Sequence, residues 1–136
     1  MTRINCVPVE ELHQKHLAAE YRELPRVFKL AEAAAKRGSH SAPDNYTLGA
    51  GHVKFFYTRL SYCQQRFKQL VAEMVRRGYN PQHTECPIVD VPSDWLQDWE
   101  PTHVDLQLNR QRIADRQPKS VAHRPTQQAS FNLGLS

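Results

Sequence analysis

Apolar residues recur at three- and four-residue spacing over two long stretches of the chain, and that period predicts helices. The clearer stripe is Val53, Phe56, Tyr57, Leu60, Cys63, Phe67, Leu70, Val71 and Met74. It predicts a helix over residues 53–77, stopped by Gly78, with the stripe in the core. A longer Ala-rich helix is predicted over residues 10–37, where Leu17, Tyr21, Leu24, Phe28, Ala31 and Ala35 share one face. Pro25 falls mid-helix, where it removes a hydrogen bond and should kink the axis. A third, shorter helix is expected over residues 102–117. Before these lies an extended arm, residues 1–9, ending near Pro8. Residues 39–45 read as a loop and Leu48-Gly49-Ala50-Gly51 as a tight connection. Pro81, Pro87 and Pro92 make residues 80–100 mainly irregular, and the chain from Pro118 reads as a surface tail. No strand pair is evident. The expected fold is all-α: one compact domain, residues 1–136, of about three helices, with an N-terminal arm and an irregular C-terminal tail.

Composition narrows the class. With 136 residues and 40% hydrophobic content, one folded domain is expected rather than disorder. No apolar run approaches the roughly 20 residues needed to span a membrane. The N-terminus lacks the apolar core of a secretory signal, so a cytoplasmic location and no membrane partner are expected. Cys6, Cys63 and Cys86 form no C-x-x-C pair and read as free thiols. His13 and His16 stand three residues apart, but no third and fourth ligand is evident, so no metal site is expected.

The formal net charge is +4, which suits a nucleic-acid partner without specifying one. The placement of the charges is more informative. On the first helix Lys15, Arg22, Arg26 and Lys29 form a row nearly opposite the apolar face, with no acid inside it. His16, Glu20 and Glu23 lie on a flank between the two. A row of this kind is ordinarily just a solvated face. Two arginines one turn apart, however, suit forked contacts to successive phosphates.

Three blocks raise these observations to a family. They are Met1-Thr2-Arg3-Ile4-Asn5 with His16-Leu17 and Ala19-Glu20-Tyr21-Arg22-Glu23-Leu24-Pro25-Arg26-Val27-Phe28; then Leu48-Gly49-Ala50-Gly51-His52-Val53 with Phe55-Phe56-Tyr57; then the short Arg124-Pro125-Thr126. Together they resemble the phage-type pyrimidine-dimer DNA glycosylase and abasic-site lyase, historically called endonuclease V. The resemblance implies a compact, mostly helical domain with the N-terminal arm threaded between the helices. It implies cleavage of the glycosidic bond of the 5′ pyrimidine in a cyclobutane dimer, then β-elimination at the abasic site. The partner implied is double-stranded DNA carrying pyrimidine dimers or abasic sites, kinked and with a base opposite the lesion turned out. The enzyme is expected to act as a monomer.

The same resemblance makes the α-amino group of Thr2 the nucleophile, once Met1 is removed. Physical chemistry supports the choice. An α-amine has a pKa of about 7.7–8.0, against about 10.4 for lysine. At neutral pH roughly 10–20% is unprotonated, against about 0.04% of an ordinary lysine. Only the neutral amine can attack C1′. Attack expels the base and leaves an imine, which acidifies the C2′ proton and lets the C3′–O bond break. No cofactor is required. Glu23 is the expected acid and base, although alone it would read as a surface glutamate paired at helical spacing. Arg3, Arg22 and Arg26 are expected on phosphates, with Lys15 and Lys29 as weaker candidates. His16 is expected to contact substrate or tune the amine. His52 is expected either to bind the DNA backbone or to cap the second helix. A family arginine of the third helix corresponds to Arg112 or to Arg116.

The chain also departs from the family. Its tail, residues 127–136, holds one aromatic residue, Phe131, where the family tail is aromatic-rich and basic. Lesion stacking would then be weaker or fall to Trp95 or Trp99, and the loop between the first two helices is shorter. A damaged-DNA-binding module without glycosylase activity is the alternative function.

Overall fold

The computed structural model describes residues 4–38 and 42–116. Among these the protein is all-helical: α1 Gln14–Arg37, α2 His52–Phe55, α3 Leu60–Arg76 and α4 His103–Asp115, with short 3-10 turns at Val9–Glu11 and Ser93–Trp95. Two residues, Arg59 and Leu96, form an isolated bridge. Helices α1 and α3 pack against each other around the core.

Helix α1 starts four residues later than its sequence suggests. The 3-10 turn at Val9–Glu11 and an extended Leu12 come first, which lets Val9 and Leu12 both enter the core. His13 then caps α1, its ring accepting a hydrogen bond from the Lys15 backbone. The helix runs through Pro25 without interruption. Its buried face is also rotated from the predicted stripe. Leu17, Leu24, Phe28 and Ala31 are buried as expected, but so are Glu20, Val27 and Ala34, while Ala35 is only partly covered. The core therefore lies under the flank assigned to His16, Glu20 and Glu23.

The predicted second helix is broken in two. Phe55, Phe56 and Tyr57 are all buried. Three successive residues span about 200° of a helix, more than one face, so a continuous helix would leave one of them in solvent. The chain instead tightens after Phe55, with bonds from Phe56 to Val53 and from Tyr57 to Lys54. The Arg59 side chain closes the break by donating to the Phe55 carbonyl and lying over the Phe55 ring. At the other end Gly78 adopts positive φ, and Tyr79 N–H reaches back to the Met74 carbonyl, which ends α3 as predicted.

Helix α4 begins at a capping box in which Thr102 and Asp105 each bond the other's backbone. Its predicted end at Gln117 lies outside the described residues. Residues 80–100 lack α-helix, as expected, and lie along α1 and α3. Tyr62 N–H bonds the Gln97 carbonyl, and Ser61 bonds the Leu96 carbonyl. Trp99 is packed against Tyr46, Phe55, Phe56 and Tyr62. Cys6, Cys63 and Cys86 are free and buried.

Candidate active site and DNA-binding face

An extended segment buried among helices has no neighbouring strand to satisfy its backbone, so side chains must do it. Residues Ile4, Asn5, Cys6 and Val7 are such a segment, and all four are buried. From α2, His52 Nε2 accepts the Ile4 N–H at 2.8 Å. The Tyr46 hydroxyl donates to the Ile4 carbonyl and the Tyr62 hydroxyl to the Asn5 carbonyl, both at 3.2 Å. From α4, Asn109 Oδ1 accepts from the N–H groups of Cys6 and Val7 at 2.7 and 3.2 Å. From α3, Arg66 Nη1 donates to the Val7 carbonyl. Helices α2, α3 and α4 thus hold the backbone of the arm.

The arm is tied to α1 by a buried charge network. Asn5 Nδ2 donates to Glu20 Oε1 at 2.8 Å, and Asn109 Nδ2 donates to Asn5 Oδ1 at 2.8 Å. Arg66 grips the same Glu20 carboxylate with two nitrogens, at 2.8 and 3.2 Å. Burial works against the charge on Arg66. The Glu20 carboxylate more than offsets that, and the guanidinium is held above its ordinary range. The buried polar residues among those described are Asn5, Glu20, His52, Arg66, Glu73 and Asn109. All but Glu73 serve the arm.

Sequence reasoning missed most of this network. The helical pattern places Glu20 on a polar flank together with Glu23, yet it is fully buried. Val27 and Ala34, apolar residues on that flank, were the available signal. Arg66 lies next to the apolar stripe of α3 and Asn109 lies on a helix with little amphipathic pattern, so neither carried a signal on its own.

Glu23 stands one turn beyond Glu20, on the border between the core and the basic row. Its side chain is 14% exposed, and Arg26, 73% exposed, approaches it at 3.8 Å. Arg22, Lys15 and Lys29 are exposed and make no ion pair among the described residues. The row is therefore open to an external anion. His16 is half-buried. Its Nε2 lies 3.1 Å from the Arg116 carbonyl, which joins the start of α1 to the end of α4. Its Nδ1 is buried with no partner among the described residues. Arg112 and Arg116 both line an open cleft of about 230 Å³ with Leu48, Leu108, Gln111 and Asp115. His52 stands apart from this surface. It is buried, its Nδ1 lies 2.7 Å from the Thr47 carbonyl, and it is the first residue of α2, whose cap is Gly51. Thr2 and Arg3 lie outside the described residues.

A model of the family described as pyrimidine dimer DNA glycosylase matches residues 1–85. The chain belongs to that family. The match takes in the arm, α1, α2 and α3, and hence His16, Glu20, Arg22, Glu23, Arg26, His52 and Arg66. It excludes α4, so Asn109, Arg112 and Arg116 belong to a part of this glycosylase beyond the match. Membership gives DNA that carries pyrimidine dimers as the partner. No helix among the described residues is long and apolar enough to cross a membrane. Trp99, one candidate for stacking on the lesion, has its ring committed to the aromatic core.

Burial also makes the thiol within the arm a poor nucleophile. The Cys6 thiol, within the arm, is pushed up to about 12 by burial. At neutral pH it is a thiol rather than the thiolate that attacks carbon.

Proposed function

We propose that the protein is a bifunctional DNA glycosylase and abasic-site lyase that uses the α-amine of Thr2, freed of Met1. The observation that carries this reading is the bond between Asn5 and Glu20. Thr2 is three residues before Asn5, about 10 Å of extended chain at most. Glu23 is three residues after Glu20, about 4.5 Å along the helix axis. The network that fixes the arm is therefore built on the helix that carries the carboxylate, at a separation the free end can span.

The amine attacks C1′ of the 5′ nucleotide of the dimer, and the bond from C1′ to the base breaks. The sugar ring opens and an imine joins Thr2 to C1′. Glu23 stabilises the developing positive charge and, as a carboxylate, accepts the C2′ proton. The electron pair of that C–H bond moves toward the imine and the C3′–O bond breaks, releasing the phosphate. Water then hydrolyses the imine and restores the amine. At an abasic site the amine condenses with the aldehyde and the later steps are the same. Arg22 and Arg26, together with Arg3, Lys15 and Lys29, neutralise phosphates flanking the lesion. His16, on the flank that carries Glu23, contacts the substrate or tunes the terminal amine. Arg112 and Arg116 extend the basic surface at the end of α4. The protein acts as a monomer.

The test is nicking of two defined duplexes, one with a single cyclobutane dimer and one with a single abasic site, each with and without borohydride. Nicking of both, with covalent capture under borohydride, is expected. Nicking of the abasic duplex alone would remove the dimer glycosylase. Binding to the dimer duplex with no nicking of either would leave a damaged-DNA-binding module.

A further inference from the structure

We infer that His52 is a positioning residue for the terminal amine, a role that rests on the reading of Thr2 as nucleophile. The ring makes two short contacts of opposite kind. Nε2 must accept, because its partner is the Ile4 N–H at 2.8 Å. Nδ1 must donate, because its partner is the Thr47 carbonyl at 2.7 Å. Only the neutral ring with its proton on Nδ1 satisfies both. The Thr47 carbonyl thus selects the tautomer that leaves a lone pair for the arm.

Ile4 is held on both sides of its Cα. Its N–H is bonded to His52 and its carbonyl to the Tyr46 hydroxyl. The two gripping rings pack edge-to-face at 5.8 Å, and Phe56 packs on His52 at 5.5 Å. The Ile4 side chain is fully buried. Residue 4 is therefore a fixed pivot, and the N–H that His52 takes is on the side leading to Thr2, two residues away. Gly51 sets the position of His52 in turn. It has φ of 84°, and a Cβ there would meet Pro43 at 3.0 Å, so the chain enters α2 at a place that only glycine fits. Misplacing a reacting group by about 1 Å can cost about a hundredfold in rate. His52 thus acts on the rate through the arm, without touching DNA.

Single-turnover trapping on the abasic duplex, alongside duplex affinity and thermal melting, tests this in the full chain. His52→Leu removes the acceptor, and His52→Gln keeps one, since its Oε1 can take the place of Nε2. Trapping by folded His52→Leu should fall about 10- to 100-fold, with duplex affinity within about twofold of wild type, and His52→Gln should recover most of the rate. Should His52→Leu fail to fold, Tyr46→Phe serves in its place, since it releases the Ile4 carbonyl at nearly constant volume. Wild-type trapping rates in every folded variant would overturn the inference. So would a loss of duplex affinity with trapping per bound complex unchanged, which would make His52 a phosphate contact. Wild-type protein acetylated at its α-amine is the control. If it still traps, the Thr2 reading itself fails, whatever the His52 variants do.

Discussion

At the scale of single residues, two glutamates one turn apart have opposite fates. Glu20 is buried, and its carboxylate is taken up by Arg66 and Asn5. Glu23 keeps an exposed edge and, among the described residues, only a long contact to Arg26. A carboxylate held by three hydrogen bonds from two side chains is a structural anchor, whereas one with a free edge can exchange protons with a substrate. Glu23→Gln should therefore lower nicking of the abasic duplex by about 10²- to 10⁴-fold, with duplex affinity nearly unchanged, as read by single-turnover kinetics and a binding titration. The catalytic role proposed for Glu23 rests on the family blocks, because a lone glutamate beside an arginine is an ordinary surface pair. The role of Glu20 was not legible, because an ideal wheel drawn through Leu17, Leu24 and Phe28 puts it to one side of the core.

At the scale of elements, the pattern located the long helices but not their breaks. Periodicity reports which side of a helix is apolar. It does not report that Phe55, Phe56 and Tyr57 are all needed inside, and that requirement separates α2 from α3. The join between α1 and α3 is stabilised by the Glu20–Arg66 pair. Removing one member of a buried pair typically costs about 3–5 kcal/mol, because it strands the other charge. Glu20→Ala should lose stability on that scale in a denaturant melt, and replacing both residues by apolar ones should lose less. At the far end of α3 the Glu73 carboxylate is bonded first by Arg76 and then by Arg77, which holds it below the usual carboxylate range. A depressed carboxylate stabilises the fold fully above its unfolded value, near pH 4.5, and that contribution is lost as the pH falls through the folded value. Glu73→Gln should thus lower the melting temperature at pH 7 and narrow the gap to wild type on acidification below pH 4.

At the scale of the whole molecule, four helices are arranged around an arm that has no strand to pair with. That arrangement accounts for every buried polar residue among those described except Glu73, and for His52 being withdrawn into the core. The row, Lys15, Arg22, Arg26 and Lys29, was legible from sequence because charges on a solvated face follow the helical period directly. The cradle of the arm was not, because its members come from all four helices and meet only when the chain folds. If the row meets phosphates, removing Arg22 or Arg26 should each reduce the slope of log affinity against log salt by about one, on damaged and undamaged duplex alike. The central claim is that a free α-amine, presented by this arm, attacks the sugar. Its most direct measurement is the site of the borohydride-trapped adduct, found by proteolysis and mass spectrometry of the protein–DNA conjugate. A single adduct on the amino nitrogen of Thr2 is expected; an adduct on a lysine side chain, with the terminal amine unmodified, would show that another group attacks the sugar.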